Sequence, residues 1–170
     1  MNKNKLNVGN KIKSSGTGGF SFKGSTSKFF EDHITKSIPF FKESRLLTAK
    51  LSTFFISEDS IVYDLGCSTG LTAKSIFDAN QNKDFKIYGL DLSREMIKEA
   101  KKKLNKKNKK NIKYVYGDVL NKKLNKSDLI VSNYFIQFIH PKKRQLVFDK
   151  IYKSLNYGGG FIFFEKTRGP

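Results

Sequence analysis

The 170-residue chain predicts an α/β fold, a three-layer sandwich with a mostly parallel sheet of about five strands between helices. Three observations carry this. Short apolar runs alternate with stretches of helical periodicity, the pattern of strands covered on both faces. A glycine-bearing turn joins the first of these strands to a helix. Acidic residues stand at or just after the ends of three successive strands, where open parallel sheets bind their ligands. Right-handed crossovers then place the first strand centrally.

The elements follow in order. Met1 to Ser27 contains Lys3, Lys5, Lys11, Lys13 and Lys23, no acidic residue, and Gly16, Gly18, Gly19 and Gly24 among Ser and Thr. Such a stretch cannot bury enough apolar area to offset its ordering entropy, so a flexible basic tail is expected over 1–27 and a folded domain over 28–170. Phe29, Phe30, Ile34 and Ile38 follow helical spacing up to Pro39. A second helix is expected from Phe40 to Phe55, with Leu46, Leu47, Leu51 and Phe54/Phe55 on its buried face. Both stripes read as packing surface, not ligand contacts. Strands are expected at Ile61–Leu65, Lys86–Leu90, Ile112–Tyr116, Leu129–Ser132 and Phe161–Glu165. Helices are expected from Thr69 to Ala79, from Ser93 to Lys107 with Ser93 as N-cap, and from Pro141 through Leu155. Tyr157-Gly158-Gly159-Gly160 reads as the turn into the last strand.

Composition bounds the rest. The net charge is +18, from 33 basic and 15 acidic residues, but only Arg45, Arg94, Arg144 and Arg168 are arginines. A phosphate-recognition surface would favour arginine forks, so the lysines, including the dense run from Lys101 to Lys113, read mainly as solvated surface. Weak, salt-sensitive binding to RNA is still expected from this charge. Cys67 is the single cysteine, which excludes an internal disulfide and fits a reducing cytoplasm. No run of 18 apolar residues predicts a membrane span. His33 and His140 have no ligand-like spacing with Cys67, so no metal site is expected.

Four strand ends carry candidate chemistry. The first turn, Asp64-Leu65-Gly66-Cys67-Ser68-Thr69-Gly70, has G-x-S-x-G spacing, which departs from the G-x-G-x-x-G of pyrophosphate binding. Gly66 and Gly70 let the backbone turn sharply beside a ligand. The helix N-terminus offers N–H groups to a carboxylate, and Asp64 offers a partner to an ammonium group. Asp91 can accept both hydroxyls of a ribose, or assist the helix that follows it. Asp118 and the Val119 backbone can serve as acceptor and donor for an adenine. Asn133 faces the reactive end of a ligand lying across the tips, or caps the next turn. Together these describe a nucleoside joined to an amino acid.

That combination resembles the class I S-adenosylmethionine (SAM)-dependent methyltransferases, a Rossmann-like superfamily. Phe30-Glu31-Asp32, Thr35-Lys36-Ser37-Ile38-Pro39, Val62-Tyr63-Asp64-Leu65-Gly66-Cys67-Ser68-Thr69-Gly70, Asn133-Tyr134-Phe135-Ile136-Gln137-Phe138, the stretch Asp149–Gly159 and Phe164-Glu165-Lys166 resemble, more narrowly, the carboxy-SAM synthase family. The resemblance covers about Lys28 to Lys166. It implies an enzyme that converts SAM and prephenate to carboxy-S-adenosyl-L-methionine and phenylpyruvate, passing through a short-lived ylide. The product then serves modification of tRNA wobble uridine to its 5-oxyacetyl form. It further implies a cytoplasmic homodimer that need not itself bind tRNA. Gly66, Cys67 and Ser68 would line the amino-acid part of the cofactor, Asp91 and Leu92 the ribose, Asp118 and Val119 the adenine, and Asn133 the region near sulfur. Phe41 stands where the family has Tyr, so a hydroxyl is lost there. The family draws two more strands and a carboxylate-binding Arg from sequence beyond the position of Pro170. The expectation is therefore a C-terminally truncated chain, with an open edge at Phe161–Glu165, poor stability and little carboxy-SAM synthesis by itself.

Overall fold

A computed structural model describes residues 26–167; most of the expected basic tail lies outside them. The elements are α1 (Thr26–Ser37), α2 (Phe41–Ser52), β1 (Ile61–Leu65), α3 (Leu71–Ala79), β2 (Lys86–Asp91), α4 (Arg94–Lys102), β3 (Ile112–Tyr116), β4 (Ser127–Asn133), α5 (Pro141–Ser154) and β5 (Leu155–Phe164), with a 3-10 turn at Ile136–Phe138. The five strands form one sheet in the order β3-β2-β1-β4-β5, parallel throughout, with β1 at the centre. This is the predicted fold, and strand order reverses between β1 and β4.

Side-chain alternation along the strands builds two cores. Val62, Ile87, Leu129 and Val131 meet Ala73, Ile76 and Phe77 of α3 and Ile97 and Ala100 of α4. On the opposite face Tyr63, Leu65, Leu90 and Ile130 meet Val147 and Ile151 of α5, together with Val119 and Leu124 from the loop after β3. The β3–β4 connection, 117–126, contains no helix.

Several boundaries differ from expectation, each for a local reason. The helix at Ser93 ends at Lys102, not Lys107. Beyond it, Asn105 Oδ1 accepts from the Lys107 and Asn108 amides while Asn108 Oδ1 accepts from the Asn105 amide, a competing side-chain turn. Tyr157–Gly160 is not a turn before the last strand but an interruption inside it. Leu155 pairs with Ser127, Gly160 pairs with Leu129, and the residues between bulge out, with Gly158 at φ 77°. Helix α5 consequently stops at Ser154, and Leu155 opens β5. Glu165 lies just past the strand, not within it.

The buried face of α2 is inverted relative to expectation. Ser44, Thr48, Ala49 and Ser52 are buried, whereas Leu46 and Leu47 are 44% and 46% exposed and Phe54 is 82% exposed. Hydroxyls can be buried there because each bonds to the helix carbonyls or beyond. Ser44 Oγ donates to Phe41 O, Thr48 Oγ1 to Ser44 O and Ser52 Oγ to Ala49 O. Among the described residues no helix is long and apolar enough to cross a membrane.

Candidate functional site

The carboxyl ends of the central strands open into one cleft of about 900 Å³. The turn after β1 forms its floor. Gly66, Ser68 and Gly70 have positive φ (72°, 50° and 84°), so alternate residues are left-handed and the chain folds back on the tip of β2. Gly66 N and Cys67 N donate to Leu90 O at 2.8 and 3.1 Å. A Cβ at Gly66 would run into the Phe135 ring, and one at Gly70 into the Tyr114 ring, whose hydroxyl donates to Gly70 O.

Asp91 ties the turn to the next helix. Its Oδ2 accepts from Ser68 N at 2.9 Å and its Oδ1 from Ser93 N at 2.8 Å. Ser93 in turn caps α4 through Met96 N. The carboxylate thus assists the helix and holds the glycine turn, and it still lines the cleft. Burial raises its pKa, opposed by the amides of Ser93 and Ser68.

Asp64 is 2% exposed, on the α3 side of β1 beneath the turn and not in the cleft lining. Burial pushes its pKa up to about 7, offset in part by a bond from the Ala73 backbone and reinforced by the nearby Asp91 charge. Its Oδ2 is buried without a hydrogen-bond partner in the chain. Burial also pushes the Cys67 thiol well above its usual range. Cys67 therefore contributes backbone rather than a thiolate.

At the tip of β4, Asn133 lines the cleft and is held from two helices. Its Nδ2 donates to Thr48 Oγ1 and Thr72 Oγ1, both at 3.3 Å. The Tyr134 hydroxyl lies 3.1 Å from Ser44 Oγ, and its ring lies 6.0 Å from that of Phe41. Helix α1 closes the cleft from above. Glu31 Oε1 accepts from Thr69 Oγ1 at 2.7 Å and pairs with Lys103. This corrects the assignment of the first stripe to packing alone, since Ile34 and Ile38 line the cleft. His33 lines it as well, and among the described residues no cluster fit for a metal ion occurs.

The cleft therefore gathers Phe41, Gly66, Cys67, Ser68, Asp91, Leu92 and Asn133 of the predicted set. Gly70 sits at the N-cap of α3. Asp118 and Val119 lie on the loop after β3, which starts beside the cleft, because Gly117 N donates to Asp91 O at 2.9 Å. Asp118 faces a second depression of about 590 Å³ that it shares with lysines of α5. Its carboxylate accepts from Leu120 N and Asn121 Nδ2. Sequence reasoning missed Ser44, Thr48 and Thr72 as supports of Asn133 and Tyr134. The available signal was the four-residue spacing of Ser44, Thr48 and Ser52, which puts three hydroxyls on one helix face.

A family model described as a methyltransferase domain matches residues 63–161. The chain belongs to the methyltransferase-domain family. Among curated relatives, the carboxy-S-adenosyl-L-methionine synthase of Campylobacter jejuni (strain 81-176) is 40% identical over 147 residues, or 86% of this chain and 61% of that protein. The protein of the same name from Nautilia profundicola is 36% identical over 147 residues, 86% of this chain and 62% of its own length. The chain thus spans less than two thirds of these relatives. They bear out the resemblance read from the motifs. Human N-acetylserotonin methyltransferase in complex with SAM superposes with a TM-score of 0.59 at 22% identity, over 80% of this chain and 37% of that one. Haemonchus contortus phosphoethanolamine N-methyltransferase 2 with S-adenosyl-L-methionine gives 0.57 at 22%, over 72% and 27%. The methyltransferase domain therefore has the class I fold expected of it.

Proposed function

We propose that this domain binds SAM across its strand tips and takes part in converting SAM and prephenate to carboxy-S-adenosyl-L-methionine and phenylpyruvate. One observation carries the reading: the turns after β1, β2 and β4 converge on a single cleft, with a glycine turn, a carboxylate and a carboxamide in sequence along its floor. The names of the curated relatives support carboxy-S-adenosyl-L-methionine as the product, and the family resemblance of the motifs implies prephenate as the co-substrate. The residues present suit the ligand. The backbone of Gly66–Ser68 cradles the amino-acid end, above the buried Asp64 carboxyl, whose Oδ2 has no partner within the chain. Asp91 lines the cleft with both oxygens oriented by backbone amides, and a carboxylate has further acceptor capacity for ribose hydroxyls. The family resemblance assigns Asp118 and Val119, on the loop that starts beside the cleft, to the adenine, and Asn133, braced by Thr48 and Thr72, to the region near the sulfur.

The sulfonium of bound SAM acidifies its attached methyl group. The protein orients two substrates and keeps water away. Phe41, Tyr134, Phe135 and Phe138 make the far half of the cleft largely aromatic, suited to a cyclic co-substrate. In this reading the whole protein is a cytoplasmic homodimer whose product feeds tRNA wobble uridine modification, with no need for this chain to grip tRNA.

The deciding experiment is incubation with SAM and prephenate followed by mass spectrometry. A cofactor heavier by one carboxyl group is the expected product. Methyl transfer to an added small-molecule acceptor would instead favour an ordinary methyltransferase, the activity for which the family model is named. SAM binding without either product, in a chain extended to the length of its relatives, would leave a non-catalytic binding protein and end the proposal.

A further inference from the structure

The loop from Gly117 to Lys126 has no helix to stiffen it, yet it carries both residues assigned to the adenine. Lys150 projects from α5 onto this loop. Its Nζ donates to three backbone carbonyls, Val119 O at 2.8 Å, Leu120 O at 2.5 Å and Lys122 O at 3.0 Å. An ammonium has three donors, and all three are used. The side chain is half-buried, on a helix anchored by Val147 and Ile151 against Val119 and Leu124. In a lysine-rich chain, the other members of the local group, Lys123, Lys143 and Lys153, are exposed on the rim of the neighbouring depression. Lys150 is committed to backbone.

We infer that Lys150 is a positioning residue for base recognition. It fixes the backbone of the 119–122 loop so that the Asp118 side chain and Val119 N–H are presented together. The inference rests on the assignment of Asp118 and Val119 to the adenine. The ammonium acts through the carbonyls it gathers. Removing it leaves three carbonyls splayed toward solvent and a loop with several competing conformations, so the adenine partners are no longer pre-arranged.

The test measures binding of S-adenosylhomocysteine and S-inosylhomocysteine to the full chain by calorimetry. The second ligand replaces the 6-amino group by a carbonyl and is identical elsewhere. The wild type discriminates between them. In Lys150→Met, affinity for S-adenosylhomocysteine falls about tenfold while that for S-inosylhomocysteine stays within about twofold, so discrimination collapses. Lys150→Arg retains the charge but not the convergence of three donors, and restores only part of the discrimination. It also serves as the test if Lys150→Met does not fold. Equal loss for both ligands would mean a merely structural lysine, and no loss for either would remove the role; both overturn the inference. A wild type that binds both ligands alike, with Asp118→Asn equally indifferent, would overturn the base assignment and the inference with it.

Discussion

Asp64 and Asp91 share one tip of the sheet and burial raises the pKa of both, but only Asp91 is bonded on both oxygens, and each makes its own prediction. Asp64 has a pKa of about 7 because burial outweighs its single backbone bond. Between the ordinary value of 3.8 and about 7, the folded chain holds a proton that the unfolded chain releases. Stability therefore falls as pH rises through this window, with a slope approaching about 1.4 kcal/mol per pH unit from this group alone. In Asp64→Asn, denaturant melts should lose that component of the slope between about pH 4 and about pH 7. An unchanged slope in the variant would contradict the buried, underpaired carboxyl. Asp91 is instead bonded to two amides, so Asp91→Ala strands Ser68 N and Ser93 N. It should cost about 1–3 kcal/mol of stability as well as weaken SAM binding, whereas Asp91→Asn, which keeps one acceptor, should lose less of each. Melting curves beside calorimetry separate the two effects. The sequence alone offers ribose binding and assistance to the next helix as alternatives. It cannot show that the same two oxygens hold the backbone.

Helix α2 gives the sharpest prediction among the elements, because its Leu46 and Leu47 face water while its hydroxyls face the protein. Leu47→Lys should change stability by less than about 0.5 kcal/mol, whereas Thr48→Leu should cost more than about 2 kcal/mol by forcing a larger side chain between Ser44, Asn133 and Thr72. The reverse ranking in thermal melts would restore the amphipathic reading. The contrast marks how far the sequence was legible. Strands β1 and β3 match expectation to the residue, β1 because it is buried on both faces and β3 because β-branched and aromatic residues dominate it. The glycine turn and the Ser93 cap are equally legible, since positive φ and capping impose residue types. Periodicity fails for α2 because it assumes that apolar means buried, and a hydroxyl that returns its hydrogen bond to its own helix escapes that rule. It fails at Tyr157–Gly160 because three glycines signal irregular backbone without saying whether it lies before a strand or inside one. Asp118 was found as a residue, but its reliance on a lysine 32 positions later was invisible, being a matter of tertiary geometry.

For the molecule as a whole, charge and architecture are separable. The three described arginines all have directed contacts. Arg45 meets Ser75 Oγ, Arg94 lies 4.1 Å above the Tyr116 ring, and Arg144 donates to Ile139 O and Gln137 O. Most lysines of the 101–113 run are exposed. Binding to any RNA should therefore be weak, indifferent to sequence and steeply reduced between about 50 and about 200 mM salt by fluorescence anisotropy. Sequence-selective binding that survives the higher salt would refute the solvated-surface reading. The junction of α5 and β5 has a different reach. Ser154 ends the helix and Leu155 begins the strand with no residue between them. At the strand's far end, Glu165 accepts from Ile136 N and Gln137 N at the aromatic side of the cleft. Between helix and wall, however, lies the bulge at 156–159, so a push on α5 from outside is taken up in that unpaired segment before it reaches the chamber where the second reactant would lie.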